Sequence, residues 1–232
     1  AFGKVQSRID ITRDLNAYLT AKGGIFREER GAIVAPTATM SPVEYQRIDL
    51  AGKLEKTFNR LKVSGGVHYT MFDYNDAKTF AGAILDQDFR DLHRVEAGGR
   101  VSYNFSPGYS VFGDLRYTSR NSNGTAATNR SSDGFRALGG VEFELGRLLR
   151  GEVGVGYNFV DYSNSAFGQH SALSFIAALV WNPTPLMTFN FDAQQRFEDT
   201  TIPGLSGSDQ SFFNLSLDYE VLRRLIVSPH LR

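Results

Sequence analysis

Charged residues recur at every second position in several segments of this 232-residue sequence, and they are its best candidates for functional side chains. Acids and bases side by side on one face of a sheet can pair across neighbouring strands. Rings of such charges set the selectivity of channels. Because both signs are present, we expect little preference between small anions and cations. A wall of mixed charge would also suit the passage of neutral or weakly charged sugars. The candidate lumen-lining residues are Arg94, Glu96, Arg100, Asp114, Arg116, Arg136, Glu142, Glu144, Arg150, Glu152, Asp192 and Arg196.

Catalytic and metal chemistry has less support in the sequence. There are no cysteines, which excludes disulfides, Cys-ligated zinc and a thiol nucleophile. His68, His93, His170 and His230 stand on separate segments without metal-ligand spacing, so we expect structural or surface roles for them. The glycines of residues 151–156 (GEVGVG) alternate with apolar residues, which indicates small lumen-facing positions or bulges in a strand rather than a phosphate-binding loop. We therefore predict no enzymatic activity, no cofactor and no metal.

Polar loops leave one alternative open for ion binding. The Asp and Asn residues of segments 121–129 and 206–209 offer the oxygen ligands that Ca²⁺ takes. Ions associated with lipopolysaccharide take oxygen ligands as well. Ordinary polar loop tips are the other interpretation of the same residues.

The composition of the sequence limits the class of protein to which these charged residues can belong. The formal net charge is zero, which argues against a nucleic-acid-binding protein. No window approaches the roughly 18 consecutive apolar residues of a spanning helix. The 18 Phe, 10 Tyr and 23 Gly residues fit β-structure with both faces occupied.

Period-two alternation along the whole chain predicts an all-β fold of about twelve antiparallel strands. In the clearest segment, 186–198, Phe189 and Phe191 alternate with Asn190 and Asp192. Most predicted strands exceed the usual length of about 5–6 residues and match the roughly 9–11 residues of a tilted membrane-spanning strand. The predicted strands are 5–11, 15–25, 45–56, 61–74, 94–105, 109–118, 135–145, 150–159, 171–181, 186–198, 213–220 and 224–232.

The connections alternate between short and long, which is typical of outer-membrane barrels with short periplasmic turns and longer outer loops. The predicted turns are 12–14, 59–60, 106–108, 146–147, 182–185 and 222–223, and the predicted loops are 30–44, 75–88, 121–133, 163–169 and 200–209. Prolines fall in these connections, except Pro229 in the last predicted strand.

Alternation alone is shared by soluble β-sandwiches, whose apolar face points into a core. Aromatic residues near the strand ends favour a membrane barrel, because interfacial girdles need them there. They are Tyr103, Phe105, Tyr109, Tyr117, Tyr157, Phe159 and Trp181. Helical spacing leaves two local alternatives, a short helix through Leu50, Leu54, Phe58 and Leu61 and another through Leu85, Phe89 and Leu92.

The predicted topology puts both chain ends on the loop side of the membrane. Complete single-chain barrels have an even strand number and both ends in the periplasm. We therefore expect residues 1–232 to form a single barrel domain that is incomplete at both ends, within an up-and-down transmembrane β-barrel of 14 or more strands.

Four segments resemble the β-barrel porin type 2 proteins of proteobacteria: 54–74 (LEKTFNRLKVSGGVHYTMFDY), 108–120 (GYSVFGDLRYTSR), 133–157 (DGFRALGGVEFELGRLLRGEVGVGY) and 179–200 (LVWNPTPLMTFNFDAQQRFEDT). The likeness covers residues 15–227. It implies a bacterial outer-membrane barrel of a kind often found with exopolysaccharide or capsule export, and it carries no catalytic motif.

Two functions follow as hypotheses. The first is a pore for hydrophilic solutes, with secreted polysaccharide as the substrate that the resemblance suggests. The second is a structural or anchoring barrel, a platform for a partner complex rather than a conducting pore. In both cases we expect contact with outer-membrane lipid and lipopolysaccharide, a polysaccharide export or other envelope complex as partner, and no nucleic acid.

Overall fold

The computed structural model describes residues 1–28, 39–124, 129–199, 207–222 and 225–231, without the side chains of residues 196, 198, 199, 207 and 208. Its long strands have 11 to 16 residues. The elements in chain order are β1 (Phe2–Thr12), β2 (Leu15–Arg27), β3 (Glu44–Phe58), β4 (Leu61–Tyr74), β5 (Ala77–Lys78), β6 (Ile84–Leu85), a 3₁₀ turn (Asp88–Arg90), β7 (Leu92–Ser106), β8 (Tyr109–Ser122), β9 (Ser132–Leu145), β10 (Leu149–Tyr162), β11 (Gln169–Thr184), β12 (Met187–Asp199), β13 (Gly207–Leu222), β14 (Leu225–Val227) and β15 (His230–Leu231).

These strands form one antiparallel sheet in which each long strand pairs with the next long strand along the chain. Thirteen strands belong to it, and β5 and β6 form a separate small hairpin in the connection between β4 and β7. The prediction of an up-and-down antiparallel fold of about twelve strands is confirmed. Within the described residues β1 pairs only with β2 and β14 only with β13, so the sheet has two free edges.

Both helical alternatives are wrong for the residues concerned. Leu50, Leu54 and Phe58 lie in β3, and Leu61 begins β4, because each strand pairs along its whole length with its neighbours. The second segment contains β6, the three-residue 3₁₀ turn and the start of β7. In the described part of the chain, no helix is long and apolar enough to span a membrane.

Two prolines lie elsewhere than the sequence predicts. Pro229 divides the last predicted strand into β14 and β15, since proline has no N–H to give to the ladder. Its carbonyl still accepts a hydrogen bond from the Leu217 N–H at 3.2 Å. Pro183 lies within β11, where the register with β12 shifts between Trp181 and Thr184. The turn predicted at residues 182–185 is therefore shorter than expected, because only residues 185–186 lie between β11 and β12.

The sheet has one polar and one apolar face, and the polar face is concave. Strands β7 and β10 are three positions apart, which is about 14 Å along a flat sheet. The side chains of Arg100 on β7 and Glu152 on β10 nevertheless form an ion pair. The convex face presents apolar side chains such as Val155, which is 71% exposed, and Leu173, which is 76% exposed.

The aromatic residues predicted near strand ends lie on the convex face at both ends of the sheet. At the turn end Trp181 stacks on Phe189 with 5.1 Å between ring centroids. At the loop end Phe135 and Phe159 are cross-strand partners with centroids 5.5 Å apart. Two aromatic bands flanking an apolar zone are the arrangement that membrane interfaces require.

Candidate functional site: the charged concave face

The continuous strand register places the predicted site residues on the same, concave face. Arg100 faces Asp114 across β7 and β8, Arg116 faces Arg136 across β8 and β9, and Arg150 faces Glu144 across β9 and β10. Asp192 on β12 faces Ala178, which in turn faces Glu152. Arg196 pairs with Gln210 through the backbone, and its side chain lies outside the description. The lumen-lining role of the twelve residues stays a prediction.

An ion cluster joins β7, β9 and β10 on this face. Glu142 and Glu152 stand directly opposite each other, which is unfavourable for like charges. The Arg100 guanidinium donates through Nη2 to both carboxylates and offsets their mutual repulsion. Ser102 Oγ donates to Glu142 Oε1 at 3.3 Å. The cluster crosses four neighbouring strands and braces the curvature of the sheet.

A phenylalanine lies flat beneath this cluster. Phe112 is only 5% exposed although it belongs to the charged face. A Cβ at Gly140 would lie 2.7 Å from Phe112 Cε1, and a Cβ at Gly154 would lie 2.8 Å from Cζ, so the ring needs both glycines. The Arg100 guanidinium covers the exposed side of the ring on the concave face. Gly154 is thus a small position on the concave face, as predicted, and the unbroken register of β10 contains no bulge.

A second polar cluster on β3 and β4 was not predicted. Asp49 is buried and accepts hydrogen bonds from Arg47 at 2.8 and 2.9 Å and from Thr70 at 3.1 Å. His68 Nε2 lies 3.4 Å from Asp49 Oδ1. These strands alternate less regularly in the sequence, which is why the cluster escaped the prediction.

Glu96 connects this cluster to the neighbouring strands. Its carboxylate lies 4.0 Å from His68 Nδ1, 3.4 Å from Arg94 Nε and 3.8 Å from Arg116 Nη1. Glu96 therefore lies among three basic side chains from three strands.

Two hollows lie along the concave face. The first, of about 610 Å³, lies near the turns, and its charged lining is Glu142, Glu144, Arg150, Glu152 and Asp192. The second, of about 410 Å³, is lined by Lys53, His68, Glu96, Arg100, Asp114 and Arg116 among others. Acidic side chains dominate the first hollow, whereas the second has both signs.

Two of the other described histidines, His93 and His170, have structural partners. His93 Nδ1 lies 2.8 Å from the Tyr69 hydroxyl. His170 Nε2 lies 3.1 and 3.2 Å from the Asp209 carboxylate oxygens, and its ring stacks on Phe197 at 4.3 Å.

One group of carboxylates in the described chain has the spacing of metal ligands. Asp76, Asp86 and Asp88 lie in the connection between β4 and β7, and all three are exposed. The neighbouring charge of Asp86 raises the pKa of the Asp88 carboxyl, with smaller contributions from desolvation and other aspartates. The loops considered above for ion binding, 121–129 and 206–209, lie partly outside the described residues.

The loops that follow β2 and β4 are joined by a buried ion pair. Glu28 and Arg90 form it, with side chains 7% and 5% exposed. The Arg90 guanidinium also lies 4.2 Å from the ring centroid of Tyr74. The pair spans 62 positions of the sequence between two irregular segments, so no local pattern could have predicted it.

Comparison with known proteins identifies the class to which this fold belongs. The chain matches the family described as "Putative beta-barrel porin 2" over residues 1–232 and belongs to it. It is therefore a porin-like β-barrel of the bacterial outer membrane, and the soluble-sandwich alternative is wrong. No curated protein matches the sequence.

One solved structure has a similar fold, and two others superpose on the chain less closely. The siderophore receptor PiuA from Acinetobacter baumannii superposes with a TM-score of 0.54 at 11% identity, covering 98% of this chain and 45% of the receptor. The outer membrane channel DcaP of Acinetobacter baumannii has a TM-score of 0.47 at 12% identity, covering 98% and 62%. The copper transporter OprC has a TM-score of 0.45 at 14% identity, covering 99% and 46%. The chain thus spans less than two thirds of the length of each.

Proposed function

We propose that the protein is a pore for hydrophilic solutes. The observation that carries the proposal is the division of the sheet into a charged concave face and an exposed apolar convex face. In an outer-membrane barrel the apolar face meets lipid and the polar face lines a lumen. A soluble protein would instead cover the apolar face with a second layer.

The class of solute is inferred from the charges. Acidic and basic side chains occur together along the concave face, as in the Arg100 cluster and around Glu96. A wall of mixed sign favours neutral or weakly charged molecules that form many hydrogen bonds, and sugars meet this description. The resemblance to proteins linked with exopolysaccharide export supports a secreted polysaccharide as cargo, with an export complex as partner. We infer no enzymatic activity.

An anchoring barrel that does not conduct is the second candidate. It is favoured by the buried Glu28–Arg90 pair, which joins the end of β2 to the connection between β4 and β7. This rigid contact at the loop end of the strands would suit a platform for an envelope partner.

Single-channel recording of the full-length protein in planar bilayers separates the two functions. We expect steady ohmic steps with weak discrimination between K⁺ and Cl⁻, because both signs line the wall. Heat-modifiable migration on gels serves as the control that the protein is folded. Folded protein that shows no steps at any voltage or salt concentration would refute the pore and favour the platform.

A further inference from the structure

We propose that the larger hollow of the concave face, near the turns between β9 and β10 and between β11 and β12, binds one unit of a neutral saccharide. Its floor is apolar, its rim offers hydrogen-bond donors and acceptors, and its excess of carboxylates disfavours an acidic sugar. The site deepens the proposed pore function and rests on it, because it meets a solute only if the concave face lines a lumen. It narrows the solute from hydrophilic molecules in general to one chemical class.

Two apolar side chains of β11 form the floor of this hollow, which has a volume of about 610 Å³. Ala178 lies directly opposite Glu152, and Val180 lies directly opposite Arg150, so both side chains belong to the concave face. Both are partly exposed. Contact with lipid does not account for them, since the lipid-exposed side chains of a membrane barrel lie on its other face. Apolar surface that faces water gains free energy when a ligand covers it.

Polar side chains flank this floor on both neighbouring strands. Arg150 and Glu152 lie on β10, and Asn190 and Asp192 lie on β12. Each floor residue is directly opposite one member of each pair. Neighbouring strands are about 4.8 Å apart, so the two flanking strands are about 10 Å apart. A flat ring that lies over β11 can therefore place its C–H face on the floor and its hydroxyl groups against both flanking strands.

Three charged side chains of the hollow are free to bind a ligand. Within the residues that the structure describes, no hydrogen bond or ion pair engages the side chains of Glu144, Arg150 and Asp192, and all three are exposed. Glu144 and Arg150 are directly opposite each other, yet they form no ion pair. A guanidinium only donates hydrogen bonds and a carboxylate only accepts them, whereas a hydroxyl group does both. Hydroxyl groups of one sugar can thus bind Arg150 and Asp192 together.

The charge of the hollow discriminates among sugars. Its charged side chains, together with the one that bridges two of them, are Glu142, Glu144, Glu152, Asp192, Arg150 and Arg100. Four carboxylates therefore stand against two guanidinium groups, and this excess of negative charge repels a sugar that carries a carboxylate or a phosphate. A simple cation would be attracted, but it would leave the apolar floor uncovered. A neutral sugar matches the floor, the rim and the charge together, as ligand pockets combine apolar surface with a few placed polar groups.

The test uses the full-length protein in planar bilayers with four probes present on both sides: neutral maltotriose, neutral cellotriose, acidic trigalacturonate and the polycation spermidine. The rim variant is R150A/D192A, which leaves the net charge unchanged. Its matched control is R8A/D10A, which removes the same two residue types from β1, outside the hollow.

A second variant, V180T, tests the floor, because it replaces one methyl group by a hydroxyl and keeps the branched shape of the side chain. Its control is V155T, the same substitution at an exposed position of the convex face. Heat-modifiable migration establishes that each variant is folded.

We expect at least one neutral trisaccharide to block the wild-type current at a lower concentration than trigalacturonate. This block should weaken about tenfold in R150A/D192A, since two hydrogen bonds of ordinary net strength account for about that factor. It should weaken about fourfold in V180T, which corresponds to one methyl group removed from water. R8A/D10A and V155T should leave it unchanged.

Other results would overturn the site while the pore stands. They are a channel that neither neutral sugar blocks, block by trigalacturonate at an equal or lower concentration, and equal loss of sugar block in R150A/D192A and R8A/D10A. Spermidine block that falls in R150A/D192A while sugar block does not would identify a cation site instead.

A folded wild-type protein that does not conduct would refute the pore, and saturation-transfer NMR then decides the site. The protein is kept in a detergent without a sugar headgroup, and maltotriose and cellotriose are added in turn. Saturation transfer to a sugar that is lost in R150A/D192A and kept in R8A/D10A supports the site. No transfer to either sugar, or equal transfer in the two variants, overturns it.

Discussion

The Arg100 guanidinium carbon lies 3.7 Å from the centroid of the Phe112 ring, so a cation covers an aromatic side chain in the middle of the charged face. Such cation–π contacts stabilise by about 0.5–2 kcal/mol, more where water is excluded. The other side of the ring rests against Gly140 and Gly154. One stack, from glycine backbone through an aromatic ring to a guanidinium and two carboxylates, thereby couples strands β7 to β10.

Replacement of Gly140 by alanine should destabilise the barrel. The added Cβ would lie 2.2 Å from the Val153 carbonyl oxygen and 2.7 Å from Phe112 Cε1, so backbone and ring must both shift. Overpacking of this kind costs about 1–3 kcal/mol. Gly113→Ala is the matched control, because nothing lies within 4 Å of its Cβ position. Heat-modifiable gel migration should show a lower unfolding temperature for Gly140→Ala alone; equal unfolding temperatures would contradict the stacked arrangement.

Removal of the Arg100 charge should leave Glu142 and Glu152 opposed without a cation. We expect Arg100→Gln to lower the free energy of unfolding by about 1 kcal/mol, since solvent at these partly exposed side chains screens the repulsion. If the protein conducts, its preference for cations should also rise. The double variant R100Q/E142Q removes one of the opposed charges and should recover most of both effects. Additive losses in this mutant cycle would show that the three side chains are not coupled.

The strands were predictable from sequence because apolar and polar residues alternate along them, which places one type on each face of the sheet. The alternation in segment 186–198 and the aromatic residues near Trp181 and Tyr103 indicated the fold before any contact was known. Strand breaks were less predictable: Pro183 is accommodated by a register shift inside β11, and this depends on the pairing with β12.

The candidate site was predictable as a face but not as a set of contacts. Alternation assigns Arg100, Glu142 and Glu152 to one side of the sheet, whereas their ion pairs depend on curvature across four strands. Phe112 breaks the polar pattern of its own strand, and its explanation lies in glycines of two other strands. The opposed arginines required the strand register, which a single sequence does not contain.

The buried pair Glu28–Arg90 should control the local stability of the loops. We expect Glu28→Gln to speed proteolytic cleavage within residues 75–91, because breaking a buried ion pair costs about 3–5 kcal/mol. The adjacent variant Arg27→Gln is the control. It removes the exposed Arg27–Glu44 pair, whose side chains are 73% and 40% exposed, and such pairs contribute about 0–1 kcal/mol. Equal cleavage rates for the two variants of the folded protein would contradict a role for the buried pair.

Two aspartates outside the strands should have pKa values shifted in opposite directions from the ordinary value of 3.8. Repulsion from Asp86 raises the pKa of Asp88, so this charge destabilises its loop above the folded-state pKa, and the penalty is relieved as the pH falls through that pKa. A hydrogen bond from Lys56, with one from Thr12, lowers the pKa of Asp14. Its stabilising contribution is present above the unfolded-state pKa and is lost as the pH falls through the lower, folded-state pKa.

Carboxyl ¹³C chemical shifts of the folded protein, followed as the pH is lowered, measure this order. Asp88 should protonate first and Asp14 last. Asp86→Asn should shift the Asp88 midpoint down toward 3.8 and leave Asp14 unchanged, because the main source of repulsion is removed from one loop alone. Lys56→Gln should shift the Asp14 midpoint up and leave Asp88 unchanged. An Asp88 midpoint that does not respond to Asp86→Asn would show that repulsion from Asp86 is not what raises the pKa of Asp88.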